Sequence, residues 1–239
     1  MINLFNVECT LTYLCVSLLL EAMGQSMVTG LVPDMWQAAA YPSLKLLGSW
    51  TVDFLARITF LSDWVAAGTA PSKYWISGFF FTQAFITGTL QNFARKTHTP
   101  IDQVAYTMVI YSYAASAQIT TKATHGAFIH GLYLEGARFD DTTLTLAESR
   151  PRELHTAMPL VLLLPAPRHD IPTVIDEDPH GTAAVYQCPV YKTSLRHGTL
   201  STTGHSTNFV MFIRLPLSPQ HRAKHWIKRG VALLTQLDI

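Results

Sequence analysis

His221 and His225 stand four residues apart, the spacing that places two imidazoles on one helical face and lets them share a metal ion. A zinc shell needs further ligands, and no cysteine or carboxylate lies near these two histidines in the sequence. His125 and His130 are five apart on an alternating stretch, which puts them on opposite faces of a strand. His197 and His205 flank Gly198 to Gly204, a Ser/Thr/Gly run with the composition of a turn. The ten histidines are therefore expected to be surface or structural side chains, and no metal ligand is assigned.

Nucleophilic and phosphate chemistry fare no better. Gly204-His205-Ser206-Thr207-Asn208 sets a serine beside a histidine, a start for a small Ser/His hydrolase. It is not the strand-to-helix elbow that presents a nucleophile, and adjacent side chains seldom aim at each other. A nucleotide loop needs backbone amides around the phosphates, a lysine to neutralise them and a hydroxyl to hold magnesium. In the nearest approach, Gly131 and Gly136 have the right spacing, but Ala137 and Arg138 stand where lysine and the hydroxyl residue belong. No catalytic, cofactor-binding or metal residue is expected in this protein.

Composition bounds the partners. The 239 residues carry 17 basic and 16 acidic side chains, a formal charge of +1, so nothing favours a nucleic-acid backbone or an anionic membrane. Cys9, Cys15 and Cys188 are sparse, odd in number and lack a CxxC spacing, which suits a reducing cytoplasm. Leu11 to Leu20 is apolar but has no basic residue before it, as a secretory leader would. Tyr74 to Ala94 and Gln103 to Thr121 carry no formal charge, yet both hold several amide and hydroxyl side chains. Buried elements of a folded domain explain them better than lipid-spanning helices.

The elements change texture near Pro100. Phe54, Leu55, Ile58, Leu61 and Trp64 recur at helical spacing while Asp53, Arg57 and Asp63 fall elsewhere, which predicts an amphipathic helix over Leu47 to Trp64 that stops around Gly68. A second helix is predicted from Ser77 or Gly78 to Lys96, with Phe79, Phe80 and Phe81 in its first turn and Arg95 and Lys96 against its negative end. Beyond Pro100, Leu160 to Leu164, Ala184 to Tyr186 and Phe209 to Ile213 carry strand signals. Phe128 to Leu134 alternates as one pleated strand, and the four prolines of Pro165 to Pro179 predict a surface loop.

Several blocks, in one order, resemble the C-terminal region of dynein heavy chains. They include Val32-Pro33-Asp34-Met35-Trp36, Tyr41-Pro42-Ser43-Leu44-Lys45 and Ser77-Gly78-Phe79-Phe80-Phe81-Thr82-Gln83-Ala84-Phe85. Further on come His130-Gly131-Leu132-Tyr133-Leu134-Glu135-Gly136-Ala137-Arg138-Phe139-Asp140 and Cys188-Pro189-Val190-Tyr191-Lys192-Thr193-Ser194. The last are Gly198-Thr199-Leu200-Ser201-Thr202-Thr203-Gly204-His205-Ser206-Thr207-Asn208 and His225-Trp226-Ile227-Lys228-Arg229-Gly230. The resemblance runs from about Val32 to the end. Residues 1–31 match poorly as an N-terminal helix segment, and residues 102–124 are neutral and alanine-rich where the family is usually acidic.

The resemblance implies an α+β fold, a helical part over residues 32–100 followed by an incomplete antiparallel β-barrel over 101–239. It further implies a non-catalytic cap on the AAA+ ring of a dynein heavy chain, whose ATP and magnesium are held by upstream modules. Intermediate chains, light chains and microtubules are then partners through the whole complex, an ATP-driven minus-end-directed motor. The Ser-Thr-Thr-Gly-His-Ser-Thr-Asn and Gly-Ala-Arg-Phe-Asp blocks look axonemal, of inner-arm type, which implies the cytoskeleton of a cilium or flagellum. Within that resemblance Trp75, Phe79, Phe80 and Phe81 are either the domain's own core, the preferred reading, or a patch that docks on the ring. Lys192, Arg196 and Arg229 are candidates to pair with ring carboxylates, and Cys188 is expected to be a packed side chain. An independent protein-binding adaptor that uses exposed aromatics is the remaining alternative.

Overall fold

The computed structural model describes residues 43–171, 185–194 and 208–237, with residues 21, 24–26, 28–33, 36 and 41. The Ser206/His205 pair, His197, Arg196, Cys9 and Cys15 lie outside the described residues.

Helix α1 spans Leu47–Ala67 and ends where expected, at Gly68, whose φ of 61° lets its amide turn back to the Val65 carbonyl. Strand β1 (Lys73–Trp75) and a 3₁₀ turn (Ile76–Gly78) follow, then helix α2 (Thr82–Thr97) with Arg95 and Lys96 in its last turn. The second helix thus begins later than predicted. Phe79, Phe80 and Phe81 precede it in extended or irregular backbone, because the polypeptide first leaves β1 through the 3₁₀ turn.

Beyond Pro100 the fold is mostly strands. They are β2 (Val104–Ile110), β3 (Ala127–His130), β4 (Tyr133–Glu135), β5 (Ala137–Asp140), β6 (Thr145–Glu148), β7 (His155–Ala157), β8 (Val161–Pro167), β9 (Val185–Tyr191), β10 (Phe209–Pro216) and β11 (Ala232–Leu234). Two short helices interrupt them, α3 (Tyr113–Gln118) and α4 (Ala223–Arg229). The neutral segment before Thr124 therefore folds as β2 and α3. One sheet has the order β1-β3-β8-β2, a second the order β10-β9-β11-β4-β7, and β5 pairs β6 alone. Pairing is antiparallel except for β1 with β3 and β11 with β9. Helices and sheets together make the α+β class expected; no closed barrel forms among the described residues. No described helix is long and apolar enough to cross a membrane.

Three expectations need correction. The alternating stretch Phe128 to Leu134 is not one strand: Gly131, with φ of 86°, turns the backbone from β3 in the first sheet to β4 in the second. A side chain there would meet the Trp75 ring at 2.5 Å, so glycine satisfies both the backbone angle and the close approach. His125 lies before β3 rather than on it. Pro165 and Pro167 sit inside β8, not in a loop. β3 pairs with β8 only as far as Leu163, so beyond it one edge of β8 is open and two prolines are tolerated. Residues 172–179 of that loop lie outside the described residues.

Alternation along the strands fills the main core. Leu134, Leu146, Leu163, Ile213, Leu215, Leu233 and Trp226 are fully buried there, and Cys188 is among them as a packed side chain. A second, smaller cluster joins Val32, Tyr41 and Trp50, with Trp36, Leu47, Phe54 and Phe80 packed on it.

Candidate functional site

Helix α1 turns its Asp53–Arg57 pair inward, while Asp63 stays exposed. Arg57 is 2% exposed, although helical periodicity places it off the apolar stripe. Its Nε donates to Asp53 Oδ2 at 2.7 Å, and Nη1 and Nη2 donate to the Phe79 carbonyl at 3.3 Å and Gln236 Oε1 at 3.4 Å. The guanidinium lies 4.1 Å from the centre of the Tyr41 ring. Asp53 also receives the Tyr41 hydroxyl at 2.6 Å and stands 3.1 Å from Lys45 Nζ. Burial pushes the Asp53 carboxyl up, but the Tyr41 hydrogen bond, Arg57 and Lys45 together outweigh it and hold the group below the usual carboxylate range. Burial, then the bond to Asp53, raises the Tyr41 hydroxyl.

The apolar stripe faces partly outward as a consequence. Leu55 is 57% exposed, and Val52, Ile58 and Val65 also meet solvent. Beside them runs a groove of about 660 Å³ lined by Trp36, Trp50, Thr51, Phe54, Leu55, Ile58, Phe80 and Phe81. Its floor is aromatic: Trp50 stacks on Phe54 with centroids 5.0 Å apart, and Phe80 tilts against both Tyr41 and Phe54. A contiguous exposed apolar surface of this kind is the usual mark of an interaction site.

The four aromatic candidates divide between core and groove. Trp75 lies half-buried in β1, edge-on to Phe60, and Phe79 stacks on Phe85 with centroids 4.5 Å apart, so both belong to the domain's own packing. Phe80 joins the small cluster and the groove wall, and Phe81 is 53% exposed at the groove's edge. Lys192 is buried, which pulls its ammonium below the ordinary lysine value. Arg229 is committed within the domain, its Nη1 3.0 Å from Glu148 Oε1. Sequence reasoning missed Trp36, Trp50, Leu55 and Ile58 as a groove. The available signal was the Asp53–Arg57 pair at i, i+4, which can neutralise itself and turn inward on an otherwise apolar helix.

A second cluster gathers where β6 meets the segment before α4. Leu146 bridges Leu217, which brings Glu148, at the end of β6, to His221 and His225. The carboxylate missing from the local sequence is thus supplied 73 residues upstream by the fold. Glu148 Oε1 lies 3.4 Å from His221 Nε2 and 3.1 Å from His225 Nε2. His221 precedes α4 rather than sharing its face with His225, yet the two rings are 4.7 Å apart.

The family model for the C-terminal domain of dynein heavy chains matches residues 13–235. It thus begins inside the stretch that carries none of the motif blocks. Dynein axonemal heavy chain 1 of Rattus norvegicus is 50% identical over 222 residues, 93% of this protein and 5% of that one. Dynein axonemal heavy chain 12 of Mus musculus is 50% identical over 219 residues, 92% of this protein and 7% of that one. Dynein axonemal heavy chain 3 of Homo sapiens is 47% identical over 223 residues, 92% of this protein and 5% of that one. The 239 residues therefore span only a small fraction of the curated relatives that they match.

Proposed function

Because this protein belongs to the family of dynein heavy-chain domains that lie at the C-terminus, we propose that it acts as the non-catalytic cap on the AAA+ ring of an axonemal dynein heavy chain. The reading extends to an ATP-driven, minus-end-directed microtubule motor in the axoneme of a cilium or flagellum. Intermediate chains, light chains and microtubules are partners only through the whole complex, and ATP and magnesium are held by the ring rather than by these residues. The observation that carries the reading is the apolar groove between α1 and Phe80–Phe81, a surface of the sort that seats a large protein partner. In this reading the strands of residues 101–239 form part of an incomplete antiparallel barrel, and the helices of residues 32–100 carry the docking face.

The test mixes the purified protein with the ring portion of an axonemal heavy chain. Stoichiometric association and an altered ring ATPase rate are expected, with no nucleotide turnover by the 239 residues alone. ATP hydrolysis by the isolated protein, or capture dominated by proteins unrelated to dynein, sinks the proposal.

A further inference from the structure

The cluster of Glu148, His221 and His225 is unused by a docking role. We infer that it is a binding site for one divalent transition-metal ion of the zinc class, held by Glu148 Oε1 and the Nε2 atoms of His221 and His225. Ligand spacing, bracing and access each support it.

Around a tetrahedral zinc ion with bonds of about 2.0–2.1 Å, neighbouring ligand atoms lie about 3.3 Å apart. The two histidine nitrogens are 3.4 and 3.1 Å from the carboxylate oxygen, and all three ligand atoms fall within 4.8 Å of one another. An ion can enter with small side-chain rotations, and one coordination position stays open for water.

The ligands are also held from behind. Ser218 Oγ lies 3.4 Å from His221 Nδ1, so the ring has a polar neighbour on its far nitrogen while Nε2 faces Glu148. The fully buried Trp226 packs against both imidazoles, with ring centroids 5.2 Å from His221 and 4.9 Å from His225. Both histidines are therefore braced by a side chain fixed in the core, and the Leu146–Leu217 bridge fixes the strand that carries Glu148.

A polar cleft of about 560 Å³, lined by Arg138, Asp140, Thr145, Glu148, Gln220 and His221 among others, opens beside the ligands and leaves a path for a hydrated ion. Arg229 opposes occupancy, since its Nη1 holds the same Glu148 oxygen at 3.0 Å. The guanidinium must turn aside when an ion binds, so its removal strengthens the site instead of weakening it.

The experiment uses the tag-free protein, stripped with chelator and titrated with Co²⁺, then with Zn²⁺ in competition. One equivalent of Co²⁺ should develop the visible absorption of a tetrahedral nitrogen–oxygen site and be displaced by Zn²⁺. His225→Ala and Glu148→Gln should each weaken binding by roughly tenfold or more. Arg229→Gln should tighten it several-fold, and circular dichroism should show that all three variants keep the fold. A protein that takes up no stoichiometric Co²⁺ or Zn²⁺, or whose uptake is unchanged in folded His225→Ala and Glu148→Gln, overturns the assignment.

Discussion

The two halves of the molecule solve the burial problem in opposite ways. In the strand half, the alternating strands send leucines inward and most charge stays near the surface: Leu134, Leu146 and Leu215 are at 0% exposure and Glu148 and Arg229 meet solvent, with Lys192 a buried exception. In the α1 region the charged Asp53–Arg57 pair lies inside and Leu55, Ile58 and Val65 lie outside. The main core of the strand half also takes in Ile76 and Ile86 from the helical half. The α1 region leaves part of its apolar surface exposed, and the inward Asp53–Arg57 pair fixes how α1 is rotated.

Leu134→Ala should break the first half of this contrast with the largest effect. Leu134 lies in β4 between β11 and β7 with no exposed surface, and a buried leucine cut to alanine costs about 2–5 kcal/mol. Denaturant unfolding should report that loss across the whole domain.

Arg57→Ala should cost about 1.5–3 kcal/mol, the scale for hydrogen bonds to charged groups, by leaving Asp53 with only Tyr41 and Lys45. Its signature is pH. The folded-state pKa of Asp53 is depressed, so its contribution is present above the unfolded value and fades as pH falls through the folded one. Wild-type stability should therefore decline from about pH 4 downward. Asp53→Asn should be less stable at neutral pH and show a flatter acid limb. An unchanged limb in thermal melts would mean that the inward charges do not hold the helix.

Leu55→Ser with Ile58→Ser should have the smallest effect on stability, about 0.5 kcal/mol or less for each such exposed position. Ring association should fall sharply all the same. A large loss of stability instead would show that the stripe belongs to the domain's own core, and the contrast between the halves would disappear.

Legibility in the sequence follows the same division. The end of α1 could be read because Gly68 is a local signal, and β8, β9 and β10 because apolar runs bounded by turn residues act locally too. What escaped depends on distant contacts. Nothing near Phe128 to Leu134 announces that Gly131 must pass under Trp75, a residue of a different strand. Periodicity alone placed Arg57 outward, since the partners that make its burial tolerable include Tyr41, Phe79 and Gln236, all remote from its helix face in sequence. The missing carboxylate for His221 and His225 likewise arrives through the pairing of β6, which no local pattern encodes. Of the groove, the sequence showed Phe80 and Phe81 as candidates but not Trp36, Trp50, Leu55 and Ile58, because an apolar stripe says which residues share a face and not which way it turns.

The order β10-β9-β11-β4-β7 has a consequence for the timing of synthesis. Its middle strand, Ala232–Leu234, is the last of the five to be made. Without those residues the pairing leaves only two separate antiparallel pairs, β4 with β7 and β9 with β10. A message cut short before Ala232 would lose the seam between them and not a dispensable edge, so quality control should treat such a product as unfinished.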